Sequence, residues 1–382
     1  MQSFDVLVIG TGGIGSAAAF HLAQRGLRVC GLDRFPVAHD RGSSHGQTRL
    51  IRQAYYEHPD YVPLLQRAYA LWRELEQQAQ RSLLVESGLV MAGPPEGTVI
   101  AGALHAARLH RLTVEQLPGT EARRRWPMFD WPDAWDVVFE PTGGYLHVEA
   151  CVHAHTDAAR RAGARFVHDV VVHNWTADRG GVTVRTSRGT WQADRLVLTP
   201  GAWAGDLLQL PAVPLQVLRK PLFWFTPTGG DASAFVAASC PCFAFDTPGG
   251  FYYGFPALDG RGVKMAEHTG GDPVDDPLTV DRTRQDHELA RIEQFRRVHL
   301  PRLQGDCTGH AACLYTMSPD QHFLIGCHPQ HARVVVAAGF SGHGFKFASV
   351  MGEVVADLVM SGATPQPIGF LSPTRFAESP GP

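Results

Sequence analysis

Six residues, Phe4 to Ile9, run directly into Gly10-Thr-Gly12-Gly-Ile-Gly15, and Ser16 to Arg25 follows with a helical pattern closed by Gly26. A second apolar run, Arg28 to Leu32, ends at Asp33. Strand, glycine turn, helix, strand is the βαβ order of a parallel sheet. The glycines divide the work. Gly10 permits the tight turn, Gly12 lets a pyrophosphate approach the backbone, and Gly15 lets helix and strand pack closely. The positive end of the helix then faces the phosphates. Asp33, at the end of the second strand, is placed to accept from ribose hydroxyls. This predicts a Rossmann-type dinucleotide site but does not choose between a nicotinamide and a flavin.

The rest of the chain supplies both kinds of element. Helical periods are predicted over 61–80, 147–162, 284–298 and 345–360, and short strands over 165–172, 181–186, 194–199 and 333–338. The stretch 215–275, rich in Phe, Tyr, Pro and Gly, reads as a mixed β region. With strand–glycine–helix patterns at both ends, the expectation is an α/β chain with a discontinuous cofactor domain. Residues 1–82, 146–214 and 325–382 would form the Rossmann-type domain. Residues 83–145 and 215–324 would form an inserted α+β substrate domain on a mixed sheet.

Composition narrows the partners. The formal net charge is −3 over 382 residues, which gives no electrostatic case for nucleic acid or an anionic membrane. No apolar run approaches the length of a membrane span. Seven Cys, an odd number in a chain too long to need staples, suggest free thiols. With no export signal and no peroxisomal address at Glu378-Ser-Pro-Gly-Pro, the expected compartment is the cytoplasm. No coiled-coil pattern is visible, and a monomer is expected. Cys240-Pro-Cys242 has no second pair, which argues against zinc, and no other metal site is expected. His147, Cys151 and His155 share a helix face but lack a carboxylate partner. Arg123-Arg-Arg125 reads as a solvated helix end. Of 34 basic residues only three are Lys, namely Lys220, Lys264 and Lys346, so each invites a question. Lys264 sits between apolar neighbours on a predicted strand, where a charge is costly without a partner. Lys346 opens the last helix, where the dipole disfavours a cation unless an anion is bound nearby. Lys220 reads as a surface residue.

The segment Gly42-Ser-Ser-His-Gly46-Gln-Thr48-Arg49-Leu-Ile-Arg52 is small, polar and basic where a nicotinamide dehydrogenase would continue into another βαβ unit. It looks like donors wrapped over a cofactor. Taken with FDVLVIGTGGIG, SSHGQTRLIRQAY at 43–55, RRWP at 124–127, FEPTGGYL at 139–146 and FYYGFP at 251–256, the chain resembles the monomeric sarcosine oxidase and N-methyltryptophan oxidase family. These are flavoenzymes of the D-amino-acid-oxidase-like fold class. The resemblance also rests on Lys264 with Glu267-His-Thr269, on Cys313-Leu-Tyr-Thr316, and on AAGFSGHGFKFAS at 337–349.

The resemblance implies an FAD held by a thioether from Cys313 and an O2-dependent oxidation of a secondary amino acid to an imine and hydrogen peroxide. It implies that Arg52 and Lys346 grip the substrate carboxylate, and that Lys264 and Arg49 lie against the flavin as fixed cations. His268, Tyr253 and Tyr315 would line the substrate cavity. The cofactor contacts it implies are Gly10, Gly12, Gly13, Ile14, Gly15, Asp33, Arg34, Ser43, Ser44, His45, Thr48, Arg49, Val172 and Gly201. To these it adds Gly339, Phe340, Gly342, His343, Gly344 and Lys346 at the last turn. Sarcosine, other N-methyl amino acids, proline and pipecolate share the handle of a carboxylate beside a secondary amine. A nicotinamide dehydrogenase, or an FAD-binding assembly or electron-transfer protein without oxidase activity, stands as the rival of another kind.

Overall fold

The computed structural model describes residues 4–376 and consists of two large sheets and a small one. The predicted C-terminal feature at 378–382 lies outside the described residues. Phe4–Ile9 is the centre of the eight-stranded sheet, parallel to Val29–Leu32 on one side and to Gly189–Leu198 on the other. Gly189–Leu198 is ten residues long and serves two partners along one edge. Its first half pairs with Gly181–Thr186 and its second half with His331–Ala338. Every residue of Val29–Leu32, and all but one of Phe4–Ile9, is buried, the mark of parallel strands covered on both faces. Helices Gly13–Gln24, Val148–Arg161 and Ala348–Ser361 pack together over this sheet, with Tyr61–Ala79 beside them.

The predicted strand over 165–172 is divided. Arg165–Val167 pairs with Val29–Leu32, and a new strand begins at Val172. Between them Asp169 takes φ +56° and the Val170 N–H donates to Asp33 O. The chain leaves the sheet there to lay Val170 and Val172 against the cavity beside Asp33.

The nine-stranded sheet draws its strands from 89–140 and 216–317 and is mixed. Cys242–Thr247 runs parallel to Leu89–Gly93, while its other neighbours are antiparallel. Side chains alternate strictly across it. Phe223, Phe225, Phe243, Phe245, Tyr252 and Met265 enter an aromatic core closed by helix Asp286–His299. Leu222, Trp224, Ala244, Tyr253 and Cys313 fall on the opposite face. Tyr252 stacks on Phe295 at 4.4 Å, so of the two adjacent tyrosines only Tyr253 is free to serve the cavity. Lys220 corrects the sequence reading. It is 2% exposed, because it shares the cavity-side parity of Leu222 and Trp224 on strand Gln216–Phe225. None of the seven cysteines is bonded to another. Arg123 and Arg125 lie in the last turn of Gly119–Arg125 and pair with Asp133 and Glu115 at the surface. No described helix is long and apolar enough to cross a membrane.

Candidate active site

An elongated cavity of about 1810 Å³, its open mouth included, runs from the first glycine turn to the last one. At its first end the turn is dictated by packing. Gly10 has φ +85°, and a Cβ there would lie 2.3 Å from Thr199 O; one on Gly15 would lie 1.8 Å from Gly10 O. Gly12 is different, since a Cβ there would meet only Ser44 Oγ, at 3.7 Å. It is therefore the open side of the cradle, and Gly12, Gly13 and Ile14 line it. Ser44 Oγ accepts from the Gly13 N–H at 3.1 Å, tying the 42–46 loop to the helix start. Asp33 Oδ2 accepts from the N–H and hydroxyl of Thr11, and Oδ1 from the Phe35 N–H. Asp33 thus fixes the turn as well as facing the cavity. Arg34, Val172 and Gly201 line the same end, with Trp203 beneath Arg34.

In the middle, Ser43 donates to Leu314 O at 2.5 Å, fastening the loop to strand Cys307–Met317. Arg49 donates to Ser43 O, to Thr48 O and to Cys313 Sγ, the last at 3.0 Å. Burial would push the Cys313 thiol up, but Arg49 and then His45 bring it down to about 6. It is the one cysteine whose thiol is lowered; burial raises the other six. A thiol ionised at neutral pH is a nucleophile, so Cys313 is chemically set apart. Arg282 braces the same place, donating to Asp40 O, Arg41 O and Ala312 O.

At the far end two cations meet. Arg52 and Lys346 both line the cavity and both are nearly fully buried. Arg52 lies between the rings of Tyr55 and Tyr56, at 4.2 and 4.7 Å, and Nη2 holds both oxygens of Glu57 at 2.8 Å. Burial opposes charge on Glu57, yet Arg52 foremost keeps its carboxyl down at about 2. Lys346 is brought down by burial, and next by Arg52, to about 7. Its hydrogen bonds have a fixed direction. His343 Nε2 lies 3.0 Å from Gln321 O and must donate there, so Nδ1 accepts from the Tyr55 hydroxyl at 2.5 Å. Tyr55 then accepts from Lys346, which also donates to His343 O. Two of its N–H groups are thereby used, leaving one for the cavity. Tyr253, His268 and Tyr315 form the facing wall, with His268 Nδ1 3.2 Å from the Tyr315 hydroxyl. Burial holds His268 down at about 3, so it is neutral.

The cavity wall therefore unites Gly10, Gly12, Gly13, Ile14, Asp33, Arg34, Ser43, Ser44, Arg49, Arg52, Val172, Gly201, Tyr253, His268, Tyr315, Gly339, Phe340, Gly342, His343, Gly344 and Lys346. Gly15, His45, Thr48, Lys264 and Cys313 stand behind it. Lys264 in particular turns its N–H groups onto Gly46 O, Thr48 O and Thr48 Oγ1 at 2.6–3.1 Å. His147, Cys151 and His155 do not bring ligand atoms together. Among the described residues Asp272, His287 and Glu288 do, but Glu288 is committed to Arg219. Glu57 and two further carboxylates carry no signal in the sequence. Glu149 accepts from the Gly46 and Gln47 N–H groups, and Glu140 from those of Gln53 and Ala54.

A dinucleotide cofactor fits what is there. Gly12 leaves the cradle open, and His45 Nε2 is buried without a partner among the described groups. The family described as FAD dependent oxidoreductase matches residues 5–358. The chain is 42% identical over 382 residues to a monomeric sarcosine oxidase of Streptomyces avermitilis, covering 99% of each chain. It is 37% identical over 379 residues to an N-methyl-L-tryptophan oxidase of Yersinia pestis, covering 98% of this chain and 100% of the other. The solved structure of NikD, an amino acid oxidase essential for nikkomycin biosynthesis, is 27% identical. It superposes with a TM-score of 0.83 over 98% of both chains.

Proposed function

Because the chain belongs to the FAD-dependent oxidoreductases, within the group of monomeric sarcosine oxidases and N-methyl-L-tryptophan oxidases, we propose that it is an oxidase of N-methyl amino acids. Oxidation of the N-methyl carbon removes two electrons and two protons across the C–N bond. Water then splits the imine to formaldehyde and the amino acid, and O2 ends as hydrogen peroxide. FAD, when bound, supplies the ring that accepts the electrons and returns them to O2. The single observation that carries this reading is the pair Arg52 and Lys346 lining the same cavity as the Gly10–Gly13 cradle.

The residues divide the rest. The free N–H of Lys346 binds one oxygen of the substrate carboxylate, and Arg52 binds the other by sharing or giving up Glu57. Neutral His268, Tyr315 and Tyr253 present an uncharged wall to the amine, which must be unprotonated to lose electrons. Arg49 in the wall places positive charge where it favours the anion that oxygen becomes as it takes up electrons, and Lys264 stands behind it, its ammonium held by three acceptors against the burial that lowers its pKa well below the usual lysine value. Cys313, ionised by Arg49, is the attachment point for FAD. Residues 1–82, 146–214 and 325–382 form the cofactor domain, and 83–145 with 215–324 the substrate domain. This division is supported by the eight-stranded sheet drawing its strands from 4–32, 165–198 and 324–338. The protein works as a cytoplasmic monomer; a species of 41.7 kDa on gel filtration would bear out the monomer.

The test is peroxide release from the yellow protein with sarcosine, other N-methyl amino acids, L-proline and L-pipecolate. Activity with the first group supports the reading, and activity confined to the cyclic acids moves the substrate to them. A yellow protein releasing no peroxide with any of them is an electron carrier or assembly protein instead. Attachment is tested separately: acid should precipitate the pigment with the wild-type chain and leave it in solution for Cys313→Ala.

A further inference from the structure

Lys220 is a buried cation that the proposed reaction does not use. Its Nζ donates to His268 O at 3.0 Å, Thr269 O at 2.7 Å and Gly270 O at 3.0 Å, one acceptor for each ammonium proton. Three consecutive carbonyls converge because the turn ends in two left-handed residues, Gly270 at φ +62° and Gly271 at φ +112°. A Cβ on Gly271 would lie 2.9 Å from both Lys220 Cδ and Arg219 O, so the lysine stem fills the room the glycine leaves. The same ammonium lies 5.2 Å from the centre of the Tyr315 ring. In the antiparallel pairing of Gln216–Phe225 with Cys307–Met317, Lys220 stands opposite Cys313 and Leu218 opposite Tyr315, all on the cavity side.

These contacts converge on one pair of side chains. His268 is held through its N–H, which donates to Phe251 O at 2.7 Å, and through its carbonyl, which accepts from Lys220. Its ring then reaches Tyr315, whose own ring rests against the same ammonium. The charged groups acting on Lys220 are Glu267, Arg291, Glu288 and Cys313. The titratable groups acting on His268 are Lys220, neutral His343, Glu57 and Lys346. We propose that Lys220 is a positioning residue for substrate binding: it fixes the His268–Tyr315 wall opposite Arg52 and Lys346 from behind, without touching the substrate. The proposal rests on the reading of this cavity as an amino acid oxidase site.

The test uses the holoenzyme, the preferred N-methyl amino acid and butanoate. Butanoate has the shape of sarcosine with CH2 in place of NH, so it probes the carboxylate grip without an amine that titrates. Lys220→Met is expected to raise KM and the butanoate Kd by about tenfold, the equivalent of one charged hydrogen bond. Flavin content should stay at the wild-type level, and kcat should change by less than about threefold. Lys220→Arg, which keeps a charged donor, should recover most of the affinity. Unchanged KM and Kd in Lys220→Met would overturn the proposal. So would a parallel loss of flavin, kcat and affinity that Lys220→Arg does not relieve, since that is a folding defect. If Lys220→Met does not accumulate as holoenzyme, Lys220→Gln decides by the same criteria, retaining one amide donor. Failure of the wild-type holoenzyme to bind butanoate or oxidise any amine brings down the oxidase reading and this proposal with it. Wild-type binding with an indifferent variant brings down this proposal alone.

Discussion

Lys346 and Cys313 both titrate inside the pH range where the enzyme can be handled, and each makes its own prediction. In the role proposed for it, Lys346, lowered by burial to about 7, binds a carboxylate as the ammonium. Below pH 7 it is charged and butanoate affinity is at its full value; above, affinity falls by about tenfold per pH unit, with proton uptake on binding. The groups facing it are Arg52, Glu57, Tyr55, His343 and His268, and of these Glu57 alone holds the charge up. Calorimetric titration in two buffers of different ionisation heat reads both effects; a pH-independent Kd between 6 and 9 would remove Lys346 from the carboxylate. Cys313 runs the other way, since its thiolate is the reactive form. If Cys313 tethers FAD as proposed, the rate of attachment to apoprotein, with O2 as the final two-electron acceptor, should be half-maximal near pH 6 and flat above it. Arg49→Gln should move that midpoint up by about one unit or more, because the guanidinium at 3.0 Å is the main charge holding the thiol down. Lysine chemistry at these positions was partly legible in the chain. Lys346 follows a glycine turn, and Lys264 sits among apolar residues. Lys220 matches no motif and so reads as a surface residue; counting by two from Trp224 and Leu222 puts it on the cavity-side face.

The strand Thr48–Ile51 shows how an element with little hydrophobic surface is held in place. It is only four residues long and pairs with Gly144–His147. A ladder this short is weak alone, and carboxylates secure both ends. Glu149 binds the amides of Gly46 and Gln47 before it, where Gln47 is strained at φ +76°, and Glu140 binds those of Gln53 and Ala54 after it. The strand delivers Arg49 and leads into Arg52, so its ends set the geometry of both cations. Glu140 is buried, and Glu140→Ala strands two amides at a cost of about 2–3 kcal/mol. The expected result is a lower urea midpoint with an unchanged m-value, together with a raised KM. A loss of stability with KM intact would separate the strand end from Arg52. Helices are legible where the apolar period runs for several turns. Helix 61–80 is found as Tyr61–Ala79 and helix 147–162 as Val148–Arg161. Glu57, Glu140 and Glu149 were not legible, and for the last two the reason is plain. Their partners lie 86 to 103 residues away; Glu149 in the first turn of Val148–Arg161 reads as ordinary helix chemistry, and Glu140 as the end of a strand.

At the scale of the whole molecule, the cavity is where the two large sheets meet. The Gly10–Gly13 turn and the Gly339–Gly344 turn come from the eight-stranded sheet, while Tyr253, His268 and Tyr315 come from the nine-stranded one. FAD held in this cavity would be bound by residues of both, and its binding free energy would then add to the stability of their contact. By mass action a dissociable ligand at a hundred times its Kd adds about 2.7 kcal/mol, and the increment grows with its concentration. A tethered ligand behaves differently, because its local concentration does not depend on what is added. The Cys313→Ala holoenzyme should therefore melt at a temperature that climbs with added FAD. The wild-type protein, if Cys313 tethers FAD as proposed, should melt higher and be indifferent to added FAD. Both should unfold in one transition when loaded, since each sheet loses a shared ligand when the other opens. Calorimetric scans across a hundredfold range of FAD distinguish the cases. A wild-type melting temperature that rises with FAD as the variant's does would mean that Cys313 carries no tether and that its low thiol pKa serves another end.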